Sequence, residues 1–211
     1  QSRQIIGIIT AQDVVEAVDD EMGEDYAKLA GLTAEEDLNE TTGQSIKKRL
    51  PWLIILLVLG MLVSSVVGAF EGVVAILICF QSLVLDMAGN VGTQSLAVTI
   101  RVLMDEELGA KEKRKLVAKE SKAGMFNGLL LGALAVAFLG VYVRLFKGYA
   151  PAQAFLISFC VGVALLLSMI VSSLVGTLVP MFFKKIKVDP AVASGPLITT
   201  VNDLVAVITY Y

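Results

Sequence analysis

Residues 148–183, GYAPAQAFLISFCVGVALLLSMIVSSLVGTLVPMFF, run for 36 positions without one Asp, Glu, Lys or Arg. A helix crossing a hydrocarbon core of about 30 Å at about 1.5 Å per residue needs about 20 apolar residues, and this run exceeds that. Two further uncharged runs stand upstream, Leu50 to Phe70 and Ala123 to Val143. Gly72 to Ile100 and Pro190 to Tyr211 are each interrupted by a single Asp, Asp86 and Asp203. The pattern predicts an all-α integral membrane protein with five transmembrane helices per protomer, occupying residues 50–211, with the lipid bilayer as its solvent.

Composition agrees: the 211 residues are 56% hydrophobic and 18% charged, with no His and a mean hydropathy of +0.76. Such a chain is neither disordered nor collagen-like nor a disulfide-stapled miniprotein. Charge divides it unevenly. Residues 1–45 carry eleven acids against Arg3 and Lys28, while the remainder carries nine acids against fifteen bases. No cleavable signal is read, because the first long apolar run starts near residue 50 and is far longer than a signal's apolar core. Lys47, Lys48 and Arg49 precede the first span, seven bases from Arg101 to Lys122 lie between spans two and three, and Lys184, Lys185 and Lys187 follow span four. Only Arg144 and Lys147 stand on the other side. The positive-inside rule then puts the N-terminus in the cytoplasm and the C-terminus outside the plasma (inner) membrane. Cys79 and Cys160 both fall inside apolar spans and read as small core hydrophobes rather than as a disulfide or metal pair.

The opening reads as a short β run, Gln4 to Ile9, and a helix from about Ala11 to Leu29 with Val14, Val15, Val18, Met22, Tyr26 and Leu29 at helical spacing. One strand and one helix cannot bury a core, so residues 1–30 are expected to be the tail of a larger cytoplasmic domain. Gly31 reads as the helix stop, Thr33 with Glu36 as a capping box, and residues 31–49 as a polar linker. Pro51, Pro151 and Asp189-Pro190 are expected to mark span starts. Small residues at four-residue spacing (Gly68 and Gly72; Gly124, Gly128 and Gly132; Ser168, Ser172 and Gly176) suit close helix packing in lipid. The charged stretch LMDEELGAKEKRKLVAKESKAG, residues 103–124, is expected to form a cytoplasmic hairpin or an interfacial helix. No GxxxxGK[ST] phosphate loop occurs, which argues against an ATP-driven pump.

An ionisable group at membrane depth costs about 2.5–3.5 kcal/mol on insertion scales and is a functional candidate by default. Asp203 is the foremost. In a continuous helix Thr199 and Thr200 share its face, and Pro196 would free the carbonyl of Val192, making an all-oxygen surface suited to a hard cation. A snorkelling Asp near the span's outer end is the plainer alternative. LDMAGNVGTQSLAVTIR, residues 85–101, holds Asp86, Asn90 and Gln94 on one helical stripe, with Gly89 and Gly92 allowing close backbone approach. That stripe suits either an ion path or interhelical hydrogen bonding. The third constellation is the acidic helix with Asp13, Glu16, Asp19, Asp20, Glu21, Glu24 and Asp25, which is either a solvated face or a surface that a divalent cation bridges. With no His and no Cys outside the spans, little is left for zinc, copper or nickel, or for nucleophilic catalysis. An enzyme is not expected, nor a nucleic-acid partner.

GNVGTQ at Gly89 to Gln94 and DPAVASGPLITTVND at residues 189–203 carry a resemblance to the MgtE magnesium channels and transporters, extending over essentially the whole chain. IIGIITAQDVVEAV resembles the end of a CBS domain, and EMGEDYAKLAGL the start of that family's plug helix. The resemblance implies a homodimer with its pore on the two-fold axis and Mg²⁺ as the ion carried, with Mn²⁺, Co²⁺ or Ca²⁺ as possible companions. It implies Asp203 as the pore carboxylate, Asp189 as a second metal position at the cytoplasmic end, and Asn90 as pore lining. It also implies regulatory magnesium at Asp13, Glu21, Glu24 and Asp25, through which cytoplasmic Mg²⁺ gates inward flow. A sodium- or proton-coupled exchanger is the competing reading.

Overall fold

The computed structural model describes residues 7–31, 41–68, 75–105, 109–193 and 195–211. These form six helices: α1 (Ala11–Leu29), α2 (Thr42–Gly68), α3 (Ala75–Asp105), α4 (Ala110–Phe146), α5 (Pro151–Lys185) and α6 (Gly195–Tyr210), with a 3₁₀ turn at Pro190–Val192 ahead of α6. Four of them, α2 to α5, are long and apolar enough to cross a membrane. Helix α6 has 16 residues, about 24 Å at the α-helical rise. Large apolar side chains such as Leu57 and Met61 on α2, Phe126 and Phe138 on α4, and Phe159 on α5 stand exposed on the outside, as lipid contact requires.

Helix α5 is the hub, packing on α4, α3 and α6, while α2 leans on α6. Glycines set the α4–α5 seam. A side chain at Gly132 would stand 2.7 Å from the Gly162 carbonyl, and one at Gly124 2.9 Å from that of Met169, so only a bare Cα lets the backbones meet. These pairings make α4 antiparallel to α5. Gly92 faces Gly176 and the Lys184 ammonium donates to the Leu103 carbonyl, so α3 runs parallel to α5. Helix α6 runs antiparallel to α3: Thr199 packs over Gly89, and at the far end the Tyr210 hydroxyl donates to the Leu77 carbonyl at 2.6 Å. Ile76, Phe80, Val84, Val161, Leu165 and Met169 form the core of one half, and Leu96, Ile100, Ala193 and Ile198 that of the other.

Several sequence expectations change. Helix α1 spans the residues expected, and its Thr10–Asp13 capping box explains the start. Of the expected β run, residues 4–6 lie outside the described residues and 7–9 carry no strand; the Thr33–Glu36 box also lies outside. Helix α2 begins at Thr42, so Pro51 is interior and not a span start; its ring leaves the Lys47 carbonyl without an in-helix donor. The charged stretch before span three is no separate hairpin from Ala110 onward, because α4 continues unbroken for 37 residues. Good helix formers without Pro or an interior stop favour that continuity. Pro190 does not open one continuous helix to Tyr211: the turn ends at Val192, and Pro196 falls in the first turn of α6. Its missing N–H therefore opens no gap inside a helix, and the freed Val192 carbonyl is withdrawn. Among the described residues Gly68 has nothing within 4 Å of a built side chain, so it makes no close packing contact with them. Both cysteines are exposed on the protomer rather than in its core.

Candidate functional site

The seam between α3 and α6 gathers most of the candidate polar groups at membrane depth. A side chain at Gly89 would meet the Thr199 methyl at 3.2 Å, and one at Gly92 would meet Asn202 Cγ at 2.8 Å. The signature glycines thus serve to seat α6 directly against α3. On that seam Asp203 is half-buried and lies near enough to Asp86 for their charges to repel. Thr199 and Thr200 donate their hydroxyl hydrogens to the carbonyls of Gly195 and Pro196, both at 2.9 Å. Each hydroxyl oxygen keeps its lone pairs for a cation or for water.

Asp86, Asn90 and Gln94 all lie on the exposed side of α3, away from the protomer's own core. The Asn90 amide donates to the Asp86 carboxylate at 3.4 Å, and Thr93 closes back on the carbonyls of Gly89 and Asn90 at 3.1 and 3.0 Å. Sequence spacing predicted one stripe, and the stripe is there. It does not hydrogen-bond to another helix of the same protomer among the described residues, which disfavours intraprotomer packing as its purpose. Gln94 stands one turn beyond Asn90 and is not drawn into the Asp86–Asp203 group.

The end of the bundle beside α1 forms a second cluster. The C-terminal half of α1 sits beside the 3₁₀ turn, where the Lys28 ammonium donates to Asp189 at 2.8 Å and pairs with Glu24 at 3.5 Å. Burial works to raise the Asp189 carboxyl, but the Lys28 hydrogen bond and the Ala191 N–H outweigh it and hold the group below the usual carboxylate range. Asp25 moves the other way, pushed up by burial and then by the negative charge of Asp189. The hydrogen bond that Lys28 donates to Asp189 raises the Lys28 ammonium above its usual value, outweighing burial, which works to lower it. Asp25 also lines a cavity of about 530 Å³ with Tyr26, Ile100 and Arg101 between α1 and α3. Gly31, at φ +80° just past α1, turns the chain under the Trp52 indole, which leaves no room for a side chain. Asp13 is not drawn into this cluster. It lies at the opposite end of α1, where the Thr10 N–H and hydroxyl hold its carboxyl below the ordinary value.

Three features escaped the sequence reading. Asn202, beside Asp203, is fully buried with neither amide atom partnered; a lone Asn in an apolar helix gave no signal of its own. Lys28 bridges to Asp189 across 161 positions, a pairing no local spacing contains. Glu120, in a stretch expected to form a cytoplasmic hairpin or an interfacial helix, is buried against Ser95 and Ser173. Among the described residues no three acidic or thiol side chains converge as a metal-holding group. A cation on the seam would have to be shared with water or with another copy.

Taken together, the apolar exterior and the carboxylate seam at membrane depth define a multi-pass α-helical membrane protein. The chain belongs to the MgtE family, described as divalent cation transporters, with residues 81–211 matching the family. It is 39% identical over 210 residues to the magnesium transporter MgtE of Enterococcus faecalis, covering 98% of this chain and 44% of that protein. For the magnesium transporter MgtE of Bacillus subtilis the identity is 36% over 214 residues, covering 100% and 46%. For that of Thermus thermophilus it is 31% over 212 residues, covering 98% and 45%. The chain thus spans a little under half the length of these relatives.

Proposed function

We propose that two copies of this chain pair in the membrane as a homodimer and carry Mg²⁺ inward along their two-fold axis, with Asp203 as the carboxylate that draws the ion in. The single observation behind this is the exposed stripe of Asp86, Asn90 and Gln94 beside half-buried Asp203. Polar groups facing outward at membrane depth need water or a second polar surface, since lipid offers none. In this reading Pro190 to Tyr211 is the fifth crossing, made by the 3₁₀ turn and α6 together. Residues 50–211 are the transport domain, residues 31–49 the linker, and residues 1–30 the cytoplasmic tail of a CBS-type domain with its plug helix. The N-terminus is cytoplasmic and the C-terminus outside the plasma membrane.

Mg²⁺ sheds water reluctantly, so it passes largely hydrated. The Asp203 carboxylates and the Thr199 and Thr200 oxygens take hydrogen bonds from its water shell. Two facing carboxylates match the charge of one Mg²⁺. An interior potential of about −100 mV contributes about 2.3 kcal/mol per charge, so about 4.6 kcal/mol for the divalent ion, which drives import without ATP. Glu21, Glu24, Asp25 and Asp189 form the regulatory side. Cytoplasmic Mg²⁺ relieves the repulsion between Asp25 and Asp189 and holds α1 over the entrance.

The test is cross-linking across the axis with Asn90→Cys in a background where Cys79 and Cys160 are replaced by Ser. Copper-catalysed oxidation in the membrane should give a covalent dimer from Asn90→Cys and none from a lipid-facing control such as Leu130→Cys. A protomer that transports Mg²⁺ while monomeric in nanodiscs would sink the proposal.

A further inference from the structure

Where α3, α4 and α5 meet, beside the α3–α6 seam, they enclose a carboxylate. Glu120 on α4 is 7% exposed, Ser95 on α3 is 3% exposed and Ser173 on α5 is fully buried. Three oxygen–oxygen contacts tie them together. Ser95 Oγ lies 3.0 Å from Glu120 Oε2 and 3.0 Å from Ser173 Oγ, and Ser173 Oγ lies 2.7 Å from the Glu120 main-chain carbonyl. The two hydroxyls bring two hydrogens, whereas the carbonyl and an ionised carboxylate bring none. Two hydrogens cannot fill three contacts, so one pair of oxygens would meet lone pair to lone pair. The carboxylate charge would also lie buried without a cation: among the described residues Glu120 has no ion pair, and an unpaired buried charge is costly.

The packed helices present nothing to neutralise it. From α3 the facing groups are Ser95 and, one turn along the same face, Thr99; from α5 they are Ser173 and Thr177. Thr177 donates to the Ser173 carbonyl at 2.8 Å. Thr99 is fully buried and its hydroxyl has no partner, a further oxygen on the same face of α3 as Ser95. Arg101 on α3 and Lys119 and Lys122 on α4 are exposed, and Lys184 of α5 is turned to the Leu103 carbonyl.

We propose that Ser95, Glu120 and Ser173 form, inside each protomer and apart from the Mg²⁺ path, a site for one monovalent cation, a proton or an alkali ion. A proton on Glu120 Oε2 donates to Ser95, Ser95 donates to Ser173, and Ser173 donates to the Glu120 carbonyl, so every contact is filled. An alkali ion among the same oxygens does so by coordination. Mg²⁺ suits the place poorly, because it demands six ligands in octahedral geometry and keeps its waters. The site stands independently of the role given to Asp203.

The test uses the full 211-residue chain in nanodiscs. Its melting temperature is measured against pH at constant ionic strength in choline chloride, then with sodium or potassium replacing choline. The parent should show either a one-proton step in stability or a saturable rise with alkali. Glu120→Gln, whose amide donates to Ser95 without a charge, should lose that response. An infrared band from a protonated carboxyl, present in the parent and missing in Glu120→Gln, assigns the charge to a proton; an alkali response without the band assigns it to the ion. Should Glu120→Gln fail to fold, Ser95→Ala removes two of the three contacts, those to Glu120 and to Ser173, and should weaken the cation response at least about tenfold. A parent insensitive to both proton and alkali, or a variant that keeps the parent's response, overturns the proposal.

Discussion

Gly92→Ala is the most informative small change in the α3–α6 seam. The added methyl carbon would stand 2.8 Å from Asn202 Cγ and 3.3 Å from its Oδ1, where carbons ordinarily rest about 3.5–4.0 Å apart. Asn202 is fully buried and has no path to solvent. The misfit must therefore be absorbed by an off-rotamer Asn202 or by α6 moving away from α3. Overpacking of this kind costs about 1–3 kcal/mol. The next residue along α6 is Asp203, so the displacement falls on the proposed ion path. In liposomes, Mg²⁺ uptake by Gly92→Ala should drop about tenfold, equivalent to about 1.4 kcal/mol, with a lower melting temperature. Asn202→Ala removes the obstacle together with two unpartnered polar atoms, so the double variant should recover most of the loss. The coupling energy should be about 1–3 kcal/mol in the restoring direction. If Gly92→Ala melts and transports like the parent, or if Asn202→Ala fails to rescue a folded double variant, α6 is not seated through this contact.

Lys28→Met should loosen α1, by only about 0.5–1 kcal/mol because the two side chains are 30% and 38% exposed and solvent screens the pair; Trp52, the single Trp, packs at the end of α1 and should shift its emission to the red. The Asp189 carboxyl is held low and the Lys28 ammonium high. The pair therefore contributes between the two unfolded values, about 3.9 and 10.4, and is lost as pH falls through the depressed Asp189 value or rises through the raised Lys28 value; an emission unchanged by acid would contradict it. Gly132→Ala should lower the melting temperature through backbone overlap with Gly162, whereas Gly68→Ala, with open space around it, should be neutral or stabilising by up to about 1 kcal/mol. Neutralising Glu21, Glu24 and Asp25 together should move inhibition by cytoplasmic Mg²⁺ to higher concentration; inhibition at the parent's concentration would remove them from the gate.

Much of this architecture is legible because lipid makes hydrophobicity nearly sufficient: the 36-residue uncharged run covers all of α5 but its last two residues, and the 3.6-residue spacing of Val14, Val18 and Met22 finds α1. The stripe of Asp86, Asn90 and Gln94 is likewise written in local spacing. Helix ends are less visible. Pro51 looks like a start from hydropathy alone, yet α2 begins in polar sequence at Thr42, because backbone hydrogen bonding does not stop where the lipid does. Polar pairings between helices are least visible of all. Nothing near Glu120 in sequence signals that Ser95 and Ser173 surround it, and nothing beside Lys28 signals Asp189. Such partners are set by helix rotation and crossing, which single-helix patterns do not contain.

The account turns on Asp203 acting as a charge. Asp203→Asn keeps the side chain's volume and one acceptor oxygen but removes two charges from a two-fold path, where low effective dielectric makes each worth several kcal/mol. The decisive measurement is Mg²⁺ uptake into liposomes under an imposed negative interior potential, comparing the parent, Asp203→Asn and Asp203→Glu, each verified as a dimer by cross-linking. The account predicts that uptake by the parent grows with the potential, that Asp203→Asn loses at least about tenfold, and that Asp203→Glu retains part of the flux. Parent-like uptake by dimeric Asp203→Asn would contradict it.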